Sequence, residues 1–511
     1  MIIKIALLVV FFAVLIIVGI VSRKKADSVN SFVLGGRSIG PWMTAFAYGT
    51  TYFSAVIFVG YAGQFGFKYG LASTWIGLGN ALIGSLLAWV ILGRRTRVMS
   101  NHLGSRTMPE FFGNRYNSQA LKIVASAIVF VFLVPYTASV YNGLSRLFEM
   151  AFGIPYFYCV IGMAVLTCVY VVLGGYMATA VNDFIQGIVM LFGIVLVIAT
   201  VIGNNGGFIE AIGQLAQIES VETVTAGQPG AYTSFFGPDP LNLLGVVLLT
   251  SLGTWGLPQM VHKFYAIKSE KAVYTGTIIS TIFALIVAGG SYFLGGFSRL
   301  YDTPAIYDAA GNVVYDSIIP TMLSTLPDIV VGVVIMLVLS ASMSTLASLV
   351  LTSASTLTID FIKGTVVKDL SEKKQMVCLR VLVAVFLLIS VILAIDPPTF
   401  IAQLMGISWG ALSGAFLAPF LYGLYWKRTT RAAVWASFAT GVGITVANMF
   451  IGFIDSAINA GAITMLVGLV IVPVVSLLTK PLPKEQVEQS FACYEEQVTV
   501  ARKYQLRHDD K

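Results

Sequence analysis

Stretches of about twenty apolar residues, the length a helix needs to cross the hydrocarbon of a bilayer, recur from one end of this chain to the other. With 57% of its 511 residues hydrophobic and 11% charged, the chain lacks the polar surface of a water-soluble domain. Inside lipid each backbone N–H and C=O must be satisfied within its own segment, so repeated runs of this length predict an all-α polytopic membrane protein. About 13 transmembrane helices are expected, at roughly 2–22, 42–64, 71–93, 120–148, 155–175, 183–203, 240–261, 273–296, 328–359, 376–395, 399–425, 431–452 and 460–479. One membrane domain over 1–480 and a charged tail over 481–511, a short amphipathic helix or disordered, make up the whole.

The formal net charge is +7. In a soluble chain that excess would point to an anionic partner, but here topology accounts for it and no nucleic-acid partner is expected. Lys and Arg collect in alternate loops: Arg23, Lys24 and Lys25; Arg94, Arg95 and Arg97; Lys263 and Lys268; Lys363 to Lys374; Lys427, Arg428 and Arg431; and the tail. The positive-inside rule then puts the N-terminus outside and the C-terminus in the cytoplasm of a plasma-membrane protein. The long loops 204–239 and 296–328 fall outside, with Lys68 and Arg299. Cys159, Cys168, Cys378 and Cys493 are scattered and suggest neither a metal site nor a disulfide framework. The first apolar run lacks a basic leader and a small-residue cleavage site, so it is read as a retained helix.

Secondary transporters place ion and solute where a helix unwinds near the midplane, because only there are main-chain groups free to coordinate. Two spans carry such breaks. The second reads Ala47-Tyr48-Gly49-Thr50-Thr51-Tyr52-Phe53-Ser54-Ala55, and the seventh reads Thr250-Ser251-Leu252-Gly253-Thr254-Trp255-Gly256-Leu257-Pro258-Gln259. Pro258 removes a helix hydrogen bond and the glycines let the backbone open. The breaks lie five spans apart, the spacing of a five-plus-five inverted repeat with core repeats at about 42–203 and 240–425. The ninth span adds Ala341, Ser344, Thr345, Ser348, Thr352 and Ser355 on one helical face. A neutral oxygen stripe suits a weakly held hard cation such as sodium; hydroxyls bonded one turn back, or packed as small residues, are the alternative.

Four further stretches, Phe32-Val33-Leu34-Gly35-Gly36-Arg37-Ser38, Gly174-Gly175-Tyr176 with Asp183-Phe184-Ile185-Gln186-Gly187, Ser344-Thr345-Leu346 followed by Ser355-Thr356 and Asp360, and Gly423-Leu424-Tyr425-Trp426-Lys427-Arg428, make the chain resemble the sodium/solute symporters. That family includes the bacterial sodium/proline and sodium/pantothenate symporters and the sodium/glucose transporters. The resemblance implies a five-plus-five core with broken first and sixth core helices and extra flanking helices. It also implies one sodium site between the first and eighth core helices, made of the carbonyls of Thr50, Phe53 and Ala341 and the hydroxyls of Ser344 and Thr345. A second sodium, as in some members, would fall to Asp183 and Ser348, although Ala347 stands where another hydroxyl is expected; an N-cap or charged-end role is the alternative for Asp183.

Substrate residues are expected at the breaks and opposite them: Thr51, Tyr52, Ser54, Ala55, Tyr136, Thr254, Trp255 and Pro258. Packing is the alternative for Tyr136 and Trp255. Proline symporters carry an aspartate where this chain has Tyr52, and several stretches look closer to pantothenate symporters. The expected function is sodium-coupled import of a small organic solute by alternating access, with sodium as coupling ion and the protein acting as a monomer. A carboxylate such as pantothenate or a monocarboxylate, an amino acid such as proline, and a sugar or sialic acid stay open as substrates. A passive channel or a solute sensor is the rival, and an enzyme is not expected, because no paired acids, His-rich motif or Ser/Lys pair sits within the spans. His102, His262 and His508 are read as solvated.

Overall fold

The computed structural model describes residues 2–22, 28–367 and 370–494. Arg23, Lys24, Lys25, Lys368, His508 and the tail beyond 494 lie outside the described residues. Within them the chain is helical, and extended pairing is limited to isolated bridges such as Tyr307 with Val313.

Among the described residues ten helices are long and apolar enough to cross a membrane, eleven with one bent pair. Two of these, Val56–His102 and Tyr156–Asn204, run to 47 and 49 residues, about twice what one crossing needs. Each is interrupted by a left-handed glycine, Gly70 at φ 60° and Gly175 at φ 54°. A Cβ on Gly70 would lie 2.2 Å from the Tyr232 carbonyl oxygen, and one on Gly175 2.8 Å from the Phe32 ring. Split there, the long helices supply the expected third, fifth and sixth spans, and thirteen crossings result.

Starts are written locally. Asp239, Ser269, Thr430 and Ser456 each accept a main-chain N–H of the first turn, satisfying donors that have no partner inside the helix. Pro41, Pro240 and Pro258 occupy first positions, where a missing N–H costs nothing.

Two spans are broken. Helix Pro41–Tyr52 ends at Phe53, whose φ of −102° and ψ of 89° are not helical. The chain restarts on Ser54: its Oγ accepts the Val56 N–H at 3.2 Å and its carbonyl accepts those of Ile57 and Phe58 at 3.0 and 3.1 Å. Helix Pro240–Leu252 passes through a tight turn at Gly253–Trp255 and resumes at Pro258, bent by 40°. The breaks lie five spans apart, as an inverted repeat requires.

Helix Asp328–Thr356 lies deep within the bundle. From Ser340 to Thr356 every residue is buried, so the hydroxyl stripe faces protein rather than lipid. Its continuation, residues 357–366, is held at the end of the bundle that carries Arg94–Arg97: Thr107 Oγ1 donates to Asp360 at 2.5 Å and Lys122 lies 3.5 Å from the same carboxylate. Arg37, in the Gly-Gly-Arg turn, donates at that end to the carbonyls of Ser105 at 2.5 Å and Tyr265 at 3.2 Å. Residues 484–494 form a helix against the same end, with Val487, Phe491 and Cys493 buried.

The tightest crossing joins residues 62–69 to helix Glu270–Gly295. A Cβ on Gly66 would sit 2.0 Å from the Gly295 carbonyl oxygen, and one on Gly295 2.1 Å from that of Ala62. Both obstacles are main chain and cannot turn aside, so the helices must part. Gly295→Val is expected to abolish the monodisperse peak of detergent-extracted protein in size-exclusion chromatography. Gly203→Ala, which would meet nothing within 4 Å, should leave it unchanged.

Candidate functional site

The first break brings helix Pro41–Tyr52 against the hydroxyl face of Asp328–Thr356. Thr345 Oγ1 stands 3.3 Å from the Thr50 carbonyl, 3.1 Å from that of Thr51 and 3.0 Å from that of Ala341. Ser344 Oγ donates to Thr50 Oγ1 at 2.7 Å. Four of the five residues expected to form an oxygen cage are therefore mutually in contact. The fifth, Phe53, lines one small enclosed cavity together with Ala341. The stripe does not act as a unit, however: Ser355 Oγ bonds the Thr352 carbonyl at 3.0 Å, the back-bonding alternative.

One turn along, the geometry departs from the expectation. Lys263 is buried, not a cytoplasmic loop charge, because helix Pro258–Ala266 runs on past the predicted span end and carries it inward. Its Nζ donates to Ser348 Oγ at 2.8 Å and lies 3.7 Å from an Asp183 carboxylate oxygen. Asp183 and Ser348 are thus joined through an ammonium. Ser348 Oγ also pairs with Thr51 Oγ1 at 2.9 Å, which links this pair to the oxygen cluster. His262, expected to be solvated, is buried edge-on to the Tyr176 ring, 5.3 Å between centroids. His102 stays exposed and meets the Gln489 carbonyl at 2.8 Å.

The residues expected to face substrate gather around an aromatic cluster whose centre the sequence reading missed. Trp409, from helix Ile401–Tyr425, has its ring centroid 6.2 Å from that of Tyr52 and 5.9 Å from that of Tyr136. A Cβ on Gly253 would lie 2.6 Å from the same indole, so Trp409 touches both broken spans. Its indole N–H has no hydrogen-bond partner. Nothing in the local sequence separates this tryptophan from a lipid-facing one; only its contacts do. Tyr52 donates its hydroxyl to the Thr250 carbonyl at 2.5 Å and stacks on Phe53 at 4.3 Å, tying the two breaks together. Ser54 caps the restarted helix, and Ala55 lies within contact distance of Gly143.

Thr254 and Trp255 are more structural. Thr254 Oγ1 donates to the Gly84 carbonyl at 3.1 Å and Trp255 Nε1 to the Ile83 carbonyl at 3.0 Å. Pro258 opens the helix after the break. Each of these residues is buried, from Thr50 to Ala55 and through Tyr136, Thr254, Trp255 and Pro258.

A sodium:solute symporter family profile matches residues 32–441, more than half of the chain. The chain belongs to the sodium:solute symporter family. A sodium/proline symporter of Staphylococcus aureus (strain JH9) is 29% identical over 455 residues, covering 86% of this chain and 84% of the relative. The solved structure of a Na+-coupled sialic acid symporter, described as substrate-bound, outward-open and revealing a novel Na+ site, superimposes with a TM-score of 0.76 at 17% identity. It covers 94% of this chain and 98% of that one; at such identity the likeness speaks for the fold. Membership makes this chain a multi-pass, sodium-coupled solute transporter.

The buried Asp183–Lys263 pair yields a direct prediction. Breaking a buried ion pair on one side strands the other charge, a loss of about 3–5 kcal/mol, whereas removing both charges is often nearly neutral. Asp183→Asn and Lys263→Met should each lower thermal stability in detergent strongly, and the double variant should recover most of it. Additive losses in that double-mutant cycle would mean the two side chains do not interact.

Proposed function

We propose that this symporter imports a small anionic or zwitterionic organic solute across the plasma membrane, driven by sodium held where the first broken span meets helix Asp328–Thr356. The observation that carries it is the convergence of the Thr50, Thr51 and Ala341 carbonyls on one hydroxyl, that of Thr345, with Ser344 beside it. Main-chain oxygens freed by an unwound segment, together with neighbouring alcohols, are hard neutral ligands suited to a cation that must also leave. In this reading Thr50, Phe53 and Ala341 ligate through carbonyls and Ser344 and Thr345 through hydroxyls.

The ion then couples two mobile parts. With sodium bound, the first broken span is tied to the central helix, and the outward-open form is favoured. Solute closes the outer side; loss of sodium to the cytoplasm releases the tie. The end bearing Arg94–Arg97 is cytoplasmic in this reading, by the positive-inside rule. Each sodium entering supplies about 2.3 kcal/mol per 100 mV of membrane potential.

Acid chemistry narrows the solute. Among the described residues the buried carboxylates are Glu110, Asp183, Asp316 and Asp360. Asp183 faces Lys263, Asp360 and Glu110 face Lys122, and Asp316 accepts the Ile401 N–H at 3.2 Å. None of these acids is left unpaired beside Tyr52 to meet an ammonium. The aromatic faces of Tyr52, Tyr136 and Trp409 supply apolar contact, and the N–H groups at the breaks supply anion donors. A carboxylate with a compact apolar body fits that combination, and proline, carried by the named relatives, fits through its carboxylate and ring.

The test is uptake into proteoliposomes of a radiolabelled panel of proline, small monocarboxylates, pantothenate and sialic acid, with and without a sodium gradient. Ser344→Ala and Thr345→Ala should each raise the sodium concentration for half-maximal uptake tenfold or more. Unchanged sodium dependence in both would remove the site assignment, and equal uptake of every solute without sodium would remove the symport reading.

A further inference from the structure

We propose that the Lys263 ammonium is a tethered cation holding this transporter's second buried cation position, so that the protein takes up one sodium ion where an Asp183–Ser348 site would otherwise take another. The inference rests on the sodium-symport reading and adds its stoichiometry.

Three elements build the position. Helix Tyr156–Asn204 contributes the Asp183 carboxylate, 3.7 Å from Nζ, and the Tyr176 ring, whose centroid is 5.3 Å away. Helix Asp328–Thr356 contributes Ser348 Oγ at 2.8 Å, and helix Pro258–Ala266 contributes the lysine itself. A carboxylate, an alcohol and a π face together are what a desolvated cation requires. Lys263 and Asp183 are each 1% exposed, so water does not provide that solvation. The Asp183 charge is balanced by Lys263, and the Ser344 hydroxyl also faces its carboxylate.

Sodium and the ammonium exclude each other here. Two like charges a few ångströms apart in a low-dielectric interior repel strongly, and Asp183 can neutralise only one. The ligand set is also depleted for a free ion: Ser348 already accepts from Lys263 and pairs with Thr51 at 2.9 Å, and position 347 is alanine. The neighbouring oxygen cluster at Thr50, Ser344 and Thr345 contains no cationic side chain, so it stays open to a mobile ion. The two positions meet at Thr51, whose hydroxyl faces Ser348 and whose carbonyl accepts Thr345. The lysine therefore stiffens the span that must hold sodium, without leaving when sodium does.

Equilibrium binding of radioactive sodium to the purified full chain, with sodium as the only probe, tests this. Wild type should bind one ion per protein with a Hill coefficient near 1. Lys263→Ala should bind two, because the stranded Asp183 carboxylate recruits the second. Lys263→Arg and the double variant Asp183→Asn/Lys263→Met should bind one. Two ions on wild type, or one on folded Lys263→Ala, would overturn the proposal while sparing the symport reading. Should Lys263→Ala fail to fold, the wild-type count and the double variant decide the matter. No sodium on wild type would overturn both.

Discussion

Unwinding a helix inside an apolar bundle exposes main-chain oxygen that must find a partner, and here the partner is one threonine. The Thr345 hydroxyl lies within hydrogen-bonding reach of the carbonyls of Thr50, Thr51 and Ala341 and donates its single proton to one of them at a time. An unsatisfied buried carbonyl costs a few kcal/mol, so the break at Phe53 is tolerable only because a hydroxyl-bearing helix lies against it. The burial of the hydroxyl stripe of Asp328–Thr356 keeps that contact away from lipid. The contact is weak enough to be exchanged for an ion, which a covalent or fully charged tie would not be.

Around it the packing is rigid where motion would be harmful and aromatic where a solute would sit. Main chain meets main chain at Gly66 and Gly295, an arrangement available only to small residues. The two broken spans meet instead through the Tyr52 hydroxyl on the Thr250 carbonyl and through Trp409 of helix Ile401–Tyr425, which packs against Tyr52 and Gly253. The end that carries Arg94–Arg97 is locked by polar contacts: Asp360 to Lys122 and Thr107, and Arg37 to the carbonyls of Ser105 and Tyr265. A bundle with one stiff crossing, one polar latch and a soft aromatic centre has the parts that rocking between two access states requires.

Much of the candidate site was legible because its signals are local. Glycine and proline mark a break wherever they fall in an apolar run, and hydroxyls at i, i+3, i+4 and i+7 mark a face regardless of what lies opposite. The break and the hydroxyl face could be found on those grounds; the resemblance to the symporters then named Thr50, Ser344 and Thr345 within them, and these three do meet. Thr254 and Trp255 carried the same signal of residues at a break, yet their polar atoms bond the carbonyls of Gly84 and Ile83. A hydrogen-bonding side chain next to a break can serve the ion, the solute or a neighbouring helix, and sequence does not separate these uses. Lys263 was misplaced for a related reason: a lysine two residues past the expected end of a span normally belongs to a loop, and the length of a helix after a kink depends on what it packs against.

What the amino-acid order determined alone was the class of object: a helical bundle in lipid, with two interruptions five spans apart and a neutral oxygen stripe two spans beyond the second. Hydrocarbon thickness and the obligation to satisfy every backbone group leave few other solutions. Tertiary structure decided which oxygens share a point in space, that Trp409 joins the breaks, and that an ammonium stands between Asp183 and Ser348. Those facts arise from residues about 80 to 360 positions apart, and contacts at that separation are set by how helices cross, a property no short stretch of chain encodes.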